Sequence, residues 1–141
     1  MYGSEEKKEL TVEATVDNLE KVTSFVNEQL ENLSCPMKAQ MQIDIAIDEL
    51  FSNIAYYAYQ PKTGNATVQI EVVNEPLAVV ITFIDEGTPY DPLSRENPDT
   101  SLSAEERQIG GLGIYMVRKS MDEISYEYLE GKNILKIKKQ F

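Results

Sequence analysis

Residues 48–53 read Asp-Glu-Leu-Phe-Ser-Asn and lie within a stretch of helical apolar spacing. Glu49 and Asn53 are four residues apart, so on an α-helix they project from one face at successive turns. Such a pair is often simply part of the solvated stripe of an amphipathic helix. The same residues can also activate a nucleophile with the carboxylate and ligate Mg²⁺ with the amide oxygen. This stretch alone leaves both interpretations open.

The segments on either side of this stretch predict a two-layer domain. Apolar residues at helical spacing predict helices over 19–33, 37–59 and 114–121. Alternating apolar and polar residues predict strands over 10–16, 66–74, 77–85, 124–129 and 134–139. From this order we expect an α+β sandwich, in which helices cover one face of a mostly antiparallel, mixed sheet.

A second motif, Asp85-Glu86-Gly87-Thr88-Pro89, closes the strand predicted over 77–85. The simpler interpretation is a turn that ends the strand. However, a half-buried carboxylate accepts hydrogen bonds well, and a neighbouring glycine lets a flat ring approach the backbone. The position of the motif, between a hairpin and a long loop, favours a binding role.

A third motif, Gly110-Gly111-Leu112-Gly113, precedes the last predicted helix. Glycines here can merely permit a sharp turn, but they also expose N–H groups at a helix N-terminus, where phosphate is favoured. Arg107 can add a forked donor to phosphate oxygens. Residues 86–109 have no clear period, and an aperiodic connection of this length predicts a functional lid.

The bulk composition excludes several kinds of function. The formal charge of −11 disfavours nucleic acid as a direct partner. The absence of histidine excludes a histidine-based triad, a histidine zinc site and autophosphorylation on histidine. A single cysteine, Cys35, cannot form a disulfide within the chain. Any general base is therefore a carboxylate, a lysine or a tyrosine.

Length and hydropathy predict one domain that spans residues 1–141, of which 1–8 form a flexible N-terminus. No apolar run approaches the roughly 18 residues of a membrane-spanning helix, and the charged N-terminus lacks the apolar stretch of a signal peptide. We therefore expect a cytoplasmic protein that has no membrane partner.

Together the three motifs resemble those of the GHKL ATPase superfamily, whose domain has the Bergerat fold. Residues 49–53 match its N box, residues 85–89 its first glycine box and residues 111–114 its second. Within the superfamily, the chain length and the sequence Met-Asp-Glu-Ile at 121–124 are similar to the anti-sigma factor serine/threonine protein kinases.

The resemblance implies that ATP and Mg²⁺ are the cofactors. Asn53 would hold Mg²⁺ between the phosphates. Asp85 would accept a hydrogen bond from the adenine amino group, and Gly87 would make room beside the ring.

The resemblance also implies the groups that handle phosphate. Arg107 would lie near the terminal phosphate under an ATP lid at 86–109. Glu49 would act as the base that takes a proton from a serine hydroxyl on a partner protein. The remaining phosphate contacts would come from Gly111, Leu112 and Gly113.

The partner implied by the resemblance is a STAS-like anti-sigma-factor antagonist, with a sigma factor or a PP2C-type phosphatase as further partners. A homodimer is also implied. Two alternatives stay open: a nucleotide-gated binding module without phosphotransfer, and a structural domain without a nucleotide site.

The chain departs from related kinases at two positions. Tyr57 stands where they often carry a histidine one turn beyond the asparagine. Gly131-Lys132-Asn133 replaces the Gly-Thr of many members, and Asn133 is the residue available to supply the polar contact.

Overall fold

A computed structural model describes residues 7–59, 62–74, 76–94 and 111–141. Within these residues the chain forms three α-helices: α1 (Leu19–Asn32), α2 (Met37–Tyr57) and α3 (Gly111–Ser120). It also forms five strands: β1 (Lys8–Glu13), β2 (Asn65–Val73), β3 (Ala78–Asp85), β4 (Glu123–Leu129) and β5 (Lys132–Gln140). None of the described helices is long and apolar enough to cross a membrane.

The five strands form one sheet in the order β1-β2-β3-β5-β4, and each of the described pairings is antiparallel. The expected α+β sandwich is therefore confirmed. Strand β3 lies at the centre, and its last residue, Asp85, pairs with Ala66 on one side and Asn133 on the other. This register places a buried carboxylate beside a buried amide.

The helices pack on the sheet through apolar stripes at helical spacing. Helix α1 buries Val22, Val26 and Leu30, which are three or four residues apart. Alternation along the strands sends every second side chain to the helices. The α2 and strand residues that meet in this core include Ile43, Ile47, Leu50, Phe51, Val68, Ile70, Ile81, Phe83, Leu135 and Ile137.

The edges of the predicted elements differ from the structure in physically understandable ways. The first strand was expected at 10–16 but ends at Glu13, because the chain then turns: the N–H of Thr15 bonds to the carbonyl of Glu13, and Val16–Asn18 form a turn of 3-10 helix. Lys8, expected in the flexible N-terminus, already pairs with Ile70. Residues 1–6 of that segment, residues 95–109 of the predicted lid and Gly110 of the glycine motif lie outside the described residues.

A polar cluster lies between α1 and α2. Gln40 donates to Oδ1 of Asn27 at 3.1 Å, and Asn27 in turn hydrogen-bonds to Asp44. The Oδ1 atom of Asp44 is sealed from solvent and has no hydrogen-bond partner among the described residues. Burial therefore raises the pKa of the Asp44 carboxyl above its ordinary value, although the bond to Asn27 partly opposes this.

The raised pKa makes stability depend on pH in a defined direction. Because the folded pKa lies above the unfolded one, ionisation of Asp44 costs stability. The cost is complete above the folded pKa, shrinks as the pH falls below it and is gone below the unfolded pKa. Asp44→Asn is therefore expected to raise the melting temperature at about pH 8 and to raise it less at about pH 4. Glu28→Gln, at an exposed site on α1, is the control. If Asp44→Asn changed the melting temperature equally at both pH values, this would contradict a raised pKa of the Asp44 carboxyl.

Candidate active site

A cavity opens between the C-terminal half of α2, the end of β3 and the β4–β5 hairpin. Its polar and aromatic lining includes Asn53, Tyr57, Asp85, Tyr90, Tyr126 and Asn133. The floor is apolar and includes Leu50 and Phe83 from the core. An apolar slot with a few convergent polar groups is the usual form of a small-molecule site.

Helix α2 brings Glu49 and Asn53 together, as their spacing predicts. The side-chain nitrogen of Asn53 donates to Oε2 of Glu49 at 3.2 Å. Because this bond uses the amide nitrogen, the amide oxygen of Asn53 keeps its acceptor capacity. Asn53 also lines the cavity.

Glu49 also contacts the start of α3. A methyl group on Gly113 would lie 1.9 Å from Oε1 of Glu49. Only a glycine therefore lets the carboxylate rest against this turn without moving. The contact places an acid at a helix N-terminus, where its negative charge is favoured.

The turn after β3 is fixed to the C-terminal end of α2. The N–H of Thr88 donates to the carbonyl of Ala58 at 2.7 Å. A methyl group on Gly87 would lie 2.2 Å from that same oxygen. The absence of a side chain at Gly87 is therefore what allows the turn to reach the helix.

A tyrosine completes this attachment from the side. The Tyr59 hydroxyl accepts the N–H of Glu86 at 2.8 Å and donates to the carbonyl of Asn65 at 2.6 Å. It thus joins the segment after β3 to the first residue of β2. Together with the Ala58 contacts, it holds the end of β3 beside α2.

Asp85 is only 5% exposed. Its Oδ1 accepts the N–H of Gly87 and the side-chain N–H of Asn133, both at 2.9 Å. Burial raises the pKa of the Asp85 carboxyl above its ordinary value, and these two donors pull it back. The carboxylate is thus held in one orientation at the cavity wall.

The structure places the predicted site residues as follows. Asn53 and Asp85 line one cavity, and Glu49 and Gly113 touch each other beside Asn53. Gly111 and Leu112 begin α3, whereas Arg107 lies outside the described residues.

Sequence reasoning missed Tyr90 and Tyr126 as cavity residues. Tyr126 lies on the same face of β4 as Ile124 and pairs with the buried Leu135, so its inward direction could have been read from the pattern. Tyr90 lies in a segment without apolar periodicity, so the sequence does not indicate that its side chain faces the cavity. Tyr57, one turn beyond Asn53, also lines the cavity.

Known proteins resemble the chain over most of its length. A family model described as a histidine kinase-like ATPase domain matches residues 12–139. The serine-protein kinase RsbW of Listeria monocytogenes is 29% identical over 101 residues, which cover 68% of this chain and 63% of that protein. The serine/threonine-protein kinase BtrW of Bordetella bronchiseptica is 26% identical over 98 residues, which cover 70% of this chain and 68% of that protein. The chain therefore spans about three fifths of the length of the RsbW relative.

One solved structure has the same fold. It contains the RsbU and RsbW domains of Rv1364c from Mycobacterium tuberculosis and superposes with a TM-score of 0.66. The match covers 94% of this chain and 32% of that one, at 17% sequence identity. At this identity the likeness concerns the fold.

Proposed function

The chain belongs to the family of histidine kinase-like ATPase domains, and from this premise we propose that it is an ATP-dependent protein serine/threonine kinase. Its substrate is a serine on a small STAS-like anti-sigma-factor antagonist. The observation that carries the proposal is the convergence of Asn53, Asp85 and Asn133 on one cavity, with Glu49 bonded to Asn53.

The cavity suits an adenine base. Its apolar floor can cover a flat ring, and Asp85 supplies a buried acceptor for the exocyclic amino group. The missing side chain at Gly87 keeps the turn against α2 and away from the ring. Tyr57 adds an aromatic wall in place of the histidine of related kinases.

The phosphates are proposed to lie at the first turn of α3. Helix N-termini present free N–H groups and partial positive charge to anions. Gly111, Leu112 and Gly113 form this turn. Arg107 is proposed to reach the terminal phosphate from the lid at 86–109.

The donor set fits Mg²⁺ at Asn53. This hard cation prefers oxygen ligands, and several of them are usually supplied by water molecules and by the phosphates of the nucleotide. No group of three or more acids, histidines or cysteines forms a metal cage in the described part of the chain. Asn53 would be a protein ligand through its amide oxygen, with the rest of the coordination coming from nucleotide and water. When bound, the ion supplies positive charge beside the transferring phosphoryl group.

Glu49 is the proposed general base. The serine oxygen of the partner attacks the γ-phosphorus, the bond from that phosphorus to the β–γ bridging oxygen breaks, and ADP leaves. The hydroxyl proton passes to the Glu49 carboxylate. Such chemistry depends mainly on positioning and charge stabilisation, so the contacts that hold Glu49 matter as much as its acidity.

The names of two relatives, a serine-protein kinase and a serine/threonine-protein kinase, support an activity on a protein partner. We extend that activity to this chain with an anti-sigma-factor antagonist as acceptor. A sigma factor or a PP2C-type phosphatase is proposed as a further partner, and a homodimer in the cytoplasm as the working state.

One observation favours a second candidate, a nucleotide-gated binding module without phosphotransfer. Glu49 is engaged by Asn53 and rests on Gly113. If these contacts keep the carboxylate away from a serine hydroxyl when nucleotide is bound, the partner would respond to the lid alone.

The test is transfer of labelled γ-phosphate. The purified chain is mixed with ATP, Mg²⁺ and a STAS-like antagonist protein, and phosphoserine is measured. Phosphoserine on the antagonist is the expected result. Nucleotide binding without transfer would support the gating module, and absence of nucleotide binding would overturn both functions.

Gly113→Ala separates the position of Glu49 from the stability of the fold. The new methyl group displaces the end of the Glu49 side chain, while alanine in a helix is favoured over glycine by about 1 kcal/mol. We expect an unchanged or higher melting temperature and a transfer rate reduced about 100-fold, the cost of a misplaced catalytic group. Met116→Ala, at an exposed site on α3, is the control. A wild-type transfer rate in the Gly113 variant would show that this contact does not position the base.

A further inference from the structure

The side chain of Asn133 has all its hydrogen-bonding capacity in use. It is 6% exposed and stands near the start of β5. Its nitrogen donates to Oδ1 of Asp85 at 2.9 Å and to the carbonyl of Thr88 at 3.0 Å, and the carbonyl of Gly87 lies at 3.4 Å. Both hydrogens of the amide thus bind the end of β3 and the turn that follows.

The oxygen of the same amide faces the other way. It accepts the N–H of Tyr90 at 3.2 Å and the hydroxyl of Tyr126. The neighbours fix which end of the amide is which, because a carboxylate and two carbonyls only accept while a backbone N–H only donates. Asn133 therefore links β3, the segment after it and β4 in one defined orientation.

This arrangement treats the two oxygens of Asp85 differently. Oδ1 receives both described hydrogen bonds, from Gly87 and Asn133. Asp85 lines the cavity. Its Oδ2 is not a sealed atom without a hydrogen-bond partner: among the described residues, that description applies to Oδ1 of Asp44. Oδ2 of Asp85 is consequently the acceptor presented to a ligand.

We propose that Asn133 is a positioning residue for base selection: by holding Oδ1 of Asp85 it presents Oδ2 to the ligand and selects purines with a 6-amino group over those with a 6-oxo group. The inference rests on the proposed nucleotide site. Asn133 acts through Asp85, and Tyr126 acts through Asn133.

The physical reason lies in what Asp85 does without its partner. Burial favours the protonated carboxyl, and the Asn133 donor opposes this. Without that donor, the carboxyl can rotate and hold a proton, and a protonated carboxyl donates to a 6-oxo group as readily as a carboxylate accepts from a 6-amino group. Loss of Asn133 therefore weakens the discrimination between bases as well as the binding.

The experiment compares ATP and ITP binding to the full chain by calorimetry with Mg²⁺ present, since these nucleotides differ in the 6-substituent. We expect the wild type to prefer ATP by about 10–100-fold, the cost of leaving a buried polar group unpaired. Asn133→Leu should reduce the ratio of the two affinities to roughly 3-fold or less, and Asn133→Thr, which keeps one hydroxyl donor, should give an intermediate ratio.

Two further variants keep the test decisive. Tyr126→Phe removes one hydroxyl from the network and should lower the ratio even if Asn133→Leu fails to fold. Thr82→Val is the matched control, because Thr82 is equally buried in β3 but faces away from Asp85. Its ratio should equal that of the wild type.

A purely structural role for Asn133 would weaken ATP and ITP binding alike. A wild-type ratio in folded Asn133→Thr and Tyr126→Phe would thus overturn the inference while leaving the proposed function intact. A wild-type chain that binds neither nucleotide would overturn both.

Discussion

Glu49→Gln is expected to slow phosphoryl transfer to the partner serine by about 10²–10⁴-fold, the range that general-base catalysis contributes. The amide has nearly the shape of the carboxylate, so it can still lie against Gly113 and accept from Asn53. It has no basic oxygen to take the hydroxyl proton. ATP affinity, measured by calorimetry, should stay within about 3-fold of the wild type, because binding does not require proton transfer.

Asp48→Asn is the matched control for this substitution. Asp48 is the neighbouring acid on α2, is exposed and accepts a hydrogen bond from Ser52 at 3.4 Å. Its removal changes the charge of the helix equally and should leave the transfer rate unchanged. A Glu49→Gln chain that transfers phosphate at the wild-type rate would remove Glu49 from the proposed chemistry.

Gly87→Ala is expected to abolish nucleotide binding and to lower the melting temperature. The methyl group would lie 2.2 Å from the carbonyl oxygen of Ala58 and 2.5 Å from its carbon, and both atoms belong to the backbone of the end of α2. Because neither can move without breaking the Thr88 bond to Ala58, the turn must separate from α2. The Oδ1 bond from Gly87 to Asp85 then fails as well.

Gly131→Ala provides the comparison. Gly131 has a φ of +79° and no atom within 4 Å of the added methyl group, so the substitution costs only backbone strain of about 1–2 kcal/mol. It should lower the melting temperature yet preserve ATP affinity, whereas Gly87→Ala should lose both. Equal ATP affinity in the two variants would show that the contact between Gly87 and α2 is not needed for the site.

Much of the fold could be predicted because its signals are local. The helical spacing of Val22, Val26 and Leu30 and the alternation that ends at Asp85 depend only on near neighbours. The pairing of Glu49 with Asn53 is likewise a property of a single helix. These predictions needed no knowledge of how the elements pack.

The contacts that shape the cavity could not be predicted in this way. Tyr90 reaches Asn133 across 43 residues, and it does so because β3 and β5 are neighbours in the sheet. The contact of Tyr126 with Asn133, across 7 residues, lies within the β4–β5 hairpin. The contact of Gly113 with Glu49 depends on how closely α3 approaches α2. The glycine motif predicts only a turn. The structural reason for a glycine at 113 is the side chain of Glu49, which is 64 residues away in the sequence.

The cavity between α2, β3 and β5 is the proposed binding site of a purine nucleotide. The most direct measurement is a crystal structure of the chain grown with Mg²⁺ and a non-hydrolysable ATP analogue. The predicted result is a base hydrogen-bonded to Asp85, Mg²⁺ on the amide oxygen of Asn53 and phosphates at the first turn of α3. An analogue bound at another place, or a cavity left without nucleotide while the protein is saturated, would contradict it.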